Sequence, residues 1–144
     1  MPDRNRSRRR GRFRSHLFPG RFRPADPAST IGGMSDWHLA RGFRYAGVVT
    51  GLRSEPNRRD VAVIVSDTPA AAAGVFTQNR VCAAPVQISR ARLPRADARA
   101  VVVCSGNANA CTGEQGLADA RRMTELVARD LGCKPDQVLV ASTG

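Results

Sequence analysis

The strongest constraint this chain places on its fold is a segment that must bring two strands side by side in parallel. Ala100, Val101, Val102 and Val103 form an apolar run, read as a strand over residues 99–104. A polar turn from Ser105 to Gly113, almost free of charge and bulk, separates that run from a well-marked helix. Leu117, Ala120, Thr124, Val127 and Leu131 recur at helical spacing on one face, with Arg121, Arg122, Glu125 and Arg129 on the others. Thr112 and Gln115 have the spacing of a capping box, Gly132 supplies a stop, and Pro135 prevents continuation. Residues 137–141 read as a second strand, which delivers Ser142, Thr143 and Gly144 at its end. Two neighbouring strands joined through a helix run parallel, so residues 99–144 predict a βαβ unit and an α/β fold. Both polar turns then stand at carboxyl ends of strands, the edge where ligands meet an α/β sheet. The 105–113 turn cannot fold by burial, so its amides, hydroxyls and backbone must be held by specific hydrogen bonds.

The preceding residues read as strands and turns. Residues 42–51 alternate aromatic or apolar with polar or small side chains, as a strand with glycine bends does. Residues 60–66 are a β-branched run, long enough for a strand buried on both faces. Asp67, Thr68 and Pro69 are expected to end it, with a helical turn at residues 70–73, a return strand at 74–77 and a polar turn at 78–80. Residues 84–89 read as a further strand, with Pro85 admissible at its start or on an edge.

Charge divides the chain unevenly. Of the formal net charge of +11, nine arginines against Asp3 and Asp26 place +7 in residues 1–33, leaving +4 for the other 111 residues. Few apolar residues and high like charge predict a disordered arm, since little buried area is available to offset the ordering entropy. The arm contains no apolar stretch long enough for a signal peptide or a transmembrane helix, and no membrane association is expected. It reads as an extension ahead of Met34 without a function of its own. An organelle transit sequence and a nucleic-acid-binding arm, with Phe13, Phe18 and Phe22 among the arginines, are the alternatives.

Four cysteines, Cys82, Cys104, Cys111 and Cys133, form no C-x-x-C pair and have no histidine at metal-ligand spacing. No metal site follows, and reduced thiols in a cytoplasmic protein are the expectation. Cys82 and Cys104 sit in apolar surroundings as small buried residues. Cys111 lies in the polar turn near a helix start, where a structural role outweighs a reactive one because no histidine is near it in sequence. His16, in the arm, and His38 read as surface residues.

Residues 42–48, 63–67 with 73–81, 105–113 and 138–144 follow one another as four motifs. In that order they resemble the bifunctional ornithine acetyltransferase/glutamate N-acetyltransferase family of arginine biosynthesis. The resemblance runs from Leu39 to Gly144, and the arm before Met34 has no counterpart in it. It implies a layered α-β-β-α sandwich and a precursor that cleaves itself before a threonine. The freed threonine takes acetyl from N-acetylornithine, or from acetyl-CoA, and passes it to glutamate. It further implies no cofactor, and a mature assembly of two α and two β chains. Carbonyl attack generates an oxyanion that preorganised donors must await. In the family a Thr-Gly pair after a strand supplies them, and the matching positions are Thr143 and Gly144.

Read without the resemblance, Thr143 and Gly144 merely turn the chain at a strand end. The 105–113 turn reads chiefly as hydrogen-bonded scaffold, with Asn107 or Asn109 as candidates to bind an acyl carbonyl. The family pattern commonly has Asn where this chain has Cys104, so no polar role is carried over to that position. The self-cleavage threonine lies further along in family members, and no residue here matches it. The expectation is therefore an incomplete N-terminal part of an acetyltransferase domain over residues 34–144, inactive by itself. Two other functions stay open. One is a small nucleotide-binding module using the turn before the helix, although neither a Walker A nor a G-x-G-x-x-G motif is present. The other is nucleic-acid binding through the arginine-rich arm.

Overall fold

The computed structural model describes residues 39–144. The disorder expected of residues 1–33, like the expected surface positions of His16 and His38, lies outside the described residues. The order of elements is β1 (Phe43–Val48), β2 (Val61–Ala72), α1 (Ala84–Arg92), β3 (Arg95–Ser105), α2 (Gly113–Leu131) and β4 (Val138–Thr143), with a 3-10 turn at Pro135–Gln137 ahead of β4. The strands form one sheet in the order β1-β2-β3-β4. β1 and β2 pair antiparallel, as do β2 and β3, whereas β3 and β4 are parallel across the α2 crossover. The chain is thus α/β, with the βαβ unit that residues 99–144 predict.

Alternation along the strands sorts the sheet into two unlike faces. Val63, Val65, Ala100, Val102, Val138 and Val140 point to the covered face and pack with Ala84 and Ile88 of α1 and Ala120 and Ala128 of α2. This is the core. The expected apolar stripe of α2 lies here, with Ala120 and Thr124 fully buried and Leu117, Val127 and Leu131 half-buried beside them. The buried Thr124 hydroxyl donates to the Arg121 carbonyl at 2.7 Å, so its burial leaves no polar atom orphaned. On the other face Tyr45, Ile64, Val101 and Leu139 align across the four strands and are half-buried among the described residues. One sheet with one helix layer supplies half of the implied sandwich.

Two expectations fail between residues 67 and 92. Residues 84–89 are not a strand but the first part of helix α1, with Pro85 in its first turn, where its missing N–H costs nothing. Tertiary packing decides the period, because a helix buries Ala84, Pro85, Ile88 and Ser89 together. The Ser89 hydroxyl donates to the Val140 carbonyl at 2.7 Å and accepts the Val140 N–H at 3.0 Å, so α1 seals the outer edge of β4. Neither the helical turn at 70–73 nor the return strand at 74–77 forms. β2 instead continues through Pro69 to Ala72, its pairing with β3 interrupted by register shifts after Val65 and after Ala70. Such an irregularity is where a strand tolerates proline. Residues 73–83 are irregular, tied to α1 by Arg90, whose guanidinium lies 5.5 Å over the Phe76 ring. No helix among the described residues is long and apolar enough to cross a membrane.

Candidate active site

Three segments meet at the end of the sheet where β3 and β4 finish. The 105–113 turn leaves β3, residues 143–144 leave β4, and the loop of residues 49–60 joins β1 to β2 at the same end. The first is held by its own hydrogen bonds. The Asn107 side-chain oxygen accepts the Asn109 N–H at 2.8 Å, and the Asn109 amide group donates to the Gly116 carbonyl at 2.9 Å. The Thr112 hydroxyl donates to the Asn109 side-chain oxygen, and the Asn109 carbonyl accepts the Ala84 N–H at 3.2 Å. Asn109 is buried in a left-handed conformation with φ 49°, one asparagine reaches more readily than most side chains. Buried, with its side-chain oxygen and one side-chain N–H engaged within the turn, Asn109 is held as scaffold.

This network also corrects the capping box. Thr112 stands at the N-cap of α2 without a side-chain cap bond, and Gln115 reaches forward to Asp119 at 2.8 Å. The Thr112 hydroxyl is spent on Asn109. Gly116 is what lets the two side chains lie against the helix, because a Cβ there would stand 1.8 Å from the Thr112 hydroxyl oxygen and 2.3 Å from the Asn109 side-chain oxygen. Gly132 ends α2 in the left-handed conformation expected of it. Cys111, with φ 56°, is exposed in the turn, Cys104 is buried as expected, and Cys82 is half-buried.

Thr143 and Gly144 differ in kind. Both are exposed, and the Thr143 hydroxyl has no hydrogen-bond partner among the described residues. Only the backbone is fixed. Thr143 sits in register with Ser105 across the parallel pair, and its carbonyl accepts the Gly106 N–H at 2.8 Å. Gly144 lies against the neighbouring turn, where a Cβ would approach the Ala108 Cβ to 3.2 Å and the Ala108 nitrogen to 3.3 Å. The site residues named from the sequence are therefore brought together with the scaffold turn.

The third segment contributes residues that the sequence reading missed. Asp60, 1% exposed, accepts the Thr50 N–H at 2.7 Å, the Thr50 hydroxyl at 2.8 Å, the Leu52 N–H at 2.8 Å and the Arg53 N–H at 3.4 Å. Burial pushes its carboxyl upward, but these hydrogen bonds outweigh burial and hold it at about 2. The Asp60 carbonyl accepts the Ser105 N–H at 2.6 Å. Arg53 then reaches Ser105, donating from Nε to its carbonyl at 3.1 Å and from a terminal nitrogen to its hydroxyl at 2.7 Å. A charge opening a β-branched run was the available signal for Asp60. For Arg53, one of many arginines, there was none. No group of His, Cys, Asp and Glu among the described residues is arranged to hold a metal ion.

The ArgJ family model matches residues 44–144, well over half of the chain. This chain belongs to the ArgJ family. It is similar to the arginine biosynthesis bifunctional protein ArgJ of Geobacter sulfurreducens, 51% identical over 104 residues, which are 72% of this chain and 26% of that protein. The corresponding ArgJ of Nitratidesulfovibrio vulgaris is 54% identical over 105 residues, with the same two shares. The chain thus spans about a quarter of the length of the curated relatives it matches. Among solved structures it is similar to ArgJ of Bacillus halodurans, with a TM-score of 0.68 and 39% identity over 73% of this chain and 55% of that one. It is equally similar in fold to the Mycobacterium tuberculosis ornithine acetyltransferase complexed with ornithine, with a TM-score of 0.68 and 43% identity over 72% of this chain and 56% of that one. The ArgJ match begins within β1 and takes in all three segments of the site.

Proposed function

We propose that residues 34–144 belong to an acetyltransferase domain that moves acetyl from N-acetylornithine, or acetyl-CoA, to glutamate in arginine biosynthesis. Residues 1–33 stand outside that domain. In this reading the nucleophile is a threonine supplied by another part of the enzyme, whose hydroxyl attacks the acetyl carbonyl carbon while its own amino group takes the proton. The negative charge that develops on the carbonyl oxygen is met by the Thr143 hydroxyl and the Gly144 N–H. Collapse of the intermediate breaks the C–N bond, ornithine leaves with the returned proton, and the acetyl group waits on threonine for the glutamate amine. The assembly is of two α and two β chains, and the setting is cytoplasmic.

The observation that carries the reading is the exposed Thr143–Gly144 pair, its hydroxyl unspent, seated against a turn whose buried Asn109 is held from both ends of its side chain. A strand end fixed through its backbone, with a hydroxyl not spent on the protein itself, can offer a donor to a charge that appears during acyl transfer. Membership of the ArgJ family supports this chemistry over nucleotide or nucleic-acid binding.

The test is a chimera in which residues 39–144 replace the matching segment of the Geobacter sulfurreducens relative. Acetyl transfer from N-acetylornithine to glutamate is expected in the chimera, and an inactive, folded chimera overturns the reading. Thr143→Ala in the active chimera should lower kcat by about 100- to 1,000-fold. An unchanged kcat would remove Thr143 from the chemistry.

A further inference from the structure

We infer that Arg53 is a positioning residue for acyl transfer, a clamp from the β1–β2 loop that fixes the end of β3 and, through it, the Thr143–Gly144 turn. The inference rests on the proposed role of Thr143 and Gly144. Its starting point is that Thr143 has little to hold it except β3. Ser105 is its register partner and the Gly106 N–H is bound to its carbonyl, so any shift of residues 105–106 is passed directly to Thr143.

Arg53 closes on this point. Its two hydrogen bonds engage both the carbonyl and the hydroxyl of Ser105, which locks the residue's side chain as well as its backbone. The guanidinium suits the task because its donors are fixed in one planar fork, where a lysine would offer a single swivelling ammonium. The stem of Arg53 lies across Gly106, which has φ 140° and no side chain, and a Cβ there would come within 3.0 Å of the Arg53 Cγ. A bare Gly106 is thus part of the clamp.

The loop is in turn anchored at its root. The Asp60 carboxylate gathers the N–H groups of Leu52 and Arg53 together with the N–H and hydroxyl of Thr50, while its backbone carbonyl holds the Ser105 N–H. One buried residue therefore fixes both the segment that carries the clamp and the strand end that the clamp grips. Glu55 lies 3.7 Å from the remaining terminal nitrogen of Arg53, which Ser105 does not use. Displacements of about 1 Å at a reacting centre can cost about 100-fold in rate, so a clamp of this kind has a kinetic signature beyond stability.

The experiment uses the active chimera with Arg53→Ala, Arg53→Lys, Ser105→Ala and the Arg53→Ala/Ser105→Ala double variant, each rate expressed per folded enzyme. Arg53→Ala should lower kcat by about 10- to 100-fold while KM for N-acetylornithine stays within about twofold. Arg53→Lys should recover part of the loss, and the double variant should be no slower than Arg53→Ala, because the two groups act as one unit. On a Thr143→Ala background, Arg53→Ala should add little. If Arg53→Ala does not fold, Ser105→Ala and Arg53→Lys decide alone, with a several-fold fall in kcat expected in each. An unchanged kcat per folded enzyme, or Arg53 and Thr143 effects that simply multiply, overturns the inference. A Thr143→Ala variant with full kcat instead sinks the oxyanion role itself, and the two failures are told apart by which variant stays active.

Discussion

The turns that follow β3 and β4 touch one another, Gly144 against Ala108, yet they are built in opposite ways. The 105–113 turn is built around one buried polar side chain. Asn109 is buried with both ends of its amide bonded, and Thr112 gives up its expected capping role to complete the set. The 143–144 turn leaves the Thr143 hydroxyl unspent and exposed. A turn that satisfies itself makes a rigid wall, whereas a turn with free donors on a rigid wall can meet a charge that appears only during reaction. Under the proposed function, neighbours at one sheet edge thus divide scaffold from chemistry.

The comparison breaks most visibly if rate and stability respond to the wrong turn. Thr143→Ala in the chimera should lose about 3 to 4 kcal/mol of transition-state stabilisation, with a urea unfolding midpoint that stays put. A shifted midpoint would show Thr143 to be scaffold after all. Gly116→Ala should do the reverse, destabilising by about 3 kcal/mol because its Cβ meets Thr112 and Asn109 side chains already held in place. Its kcat per folded enzyme should change little. Thr112→Ala removes the hydroxyl bonded to Asn109 and should cost about 1 kcal/mol in the same unfolding measurement. A negligible loss would return Thr112 to the ordinary surface.

The gentlest expected signal is a slope with pH. The folded carboxyl of Asp60 lies at about 2, below the ordinary 3.8, so its contribution to stability is complete above 3.8 and is lost as pH falls through about 2. Urea midpoints of the wild-type sequence and Asp60→Asn should therefore differ at neutral pH and converge between pH 3.8 and about 2. A gap that stays constant across that window would mean that the carboxylate charge is not what the loop hydrogen bonds select.

The legible parts of the chain were those whose signals are local. The α2 stripe from Leu117 to Leu131, the stop at Gly132 and the β-branched strands need no distant partner to be recognised, and all appear where their periods put them. Residues 84–89 failed because Ala84, Val86 and Ile88 fit a period of two as well as Ala84, Pro85, Ile88 and Ser89 fit a helix. In so short a run only the edge of β4, waiting for the Ser89 hydroxyl, separates the two. Pro69 read as a break because the compensating irregularity lies in the pairing with β3, which no single segment displays.

By itself the sequence determined the α/β class, the parallel crossover at residues 99–144 and the family resemblance, and through that resemblance it singled out Thr143 and Gly144 as candidates. Each depends on spacing along the chain or on contiguous motifs. Only the tertiary structure decided that Asn109 is consumed as scaffold, that Asp60 is buried among N–H groups and that Arg53 grips Ser105. Those facts join residues 52 positions apart in the case of Arg53 and Ser105. Hydrogen bonds across such distances depend on how strands and loops are brought to one edge of the sheet, and no local pattern carries that information.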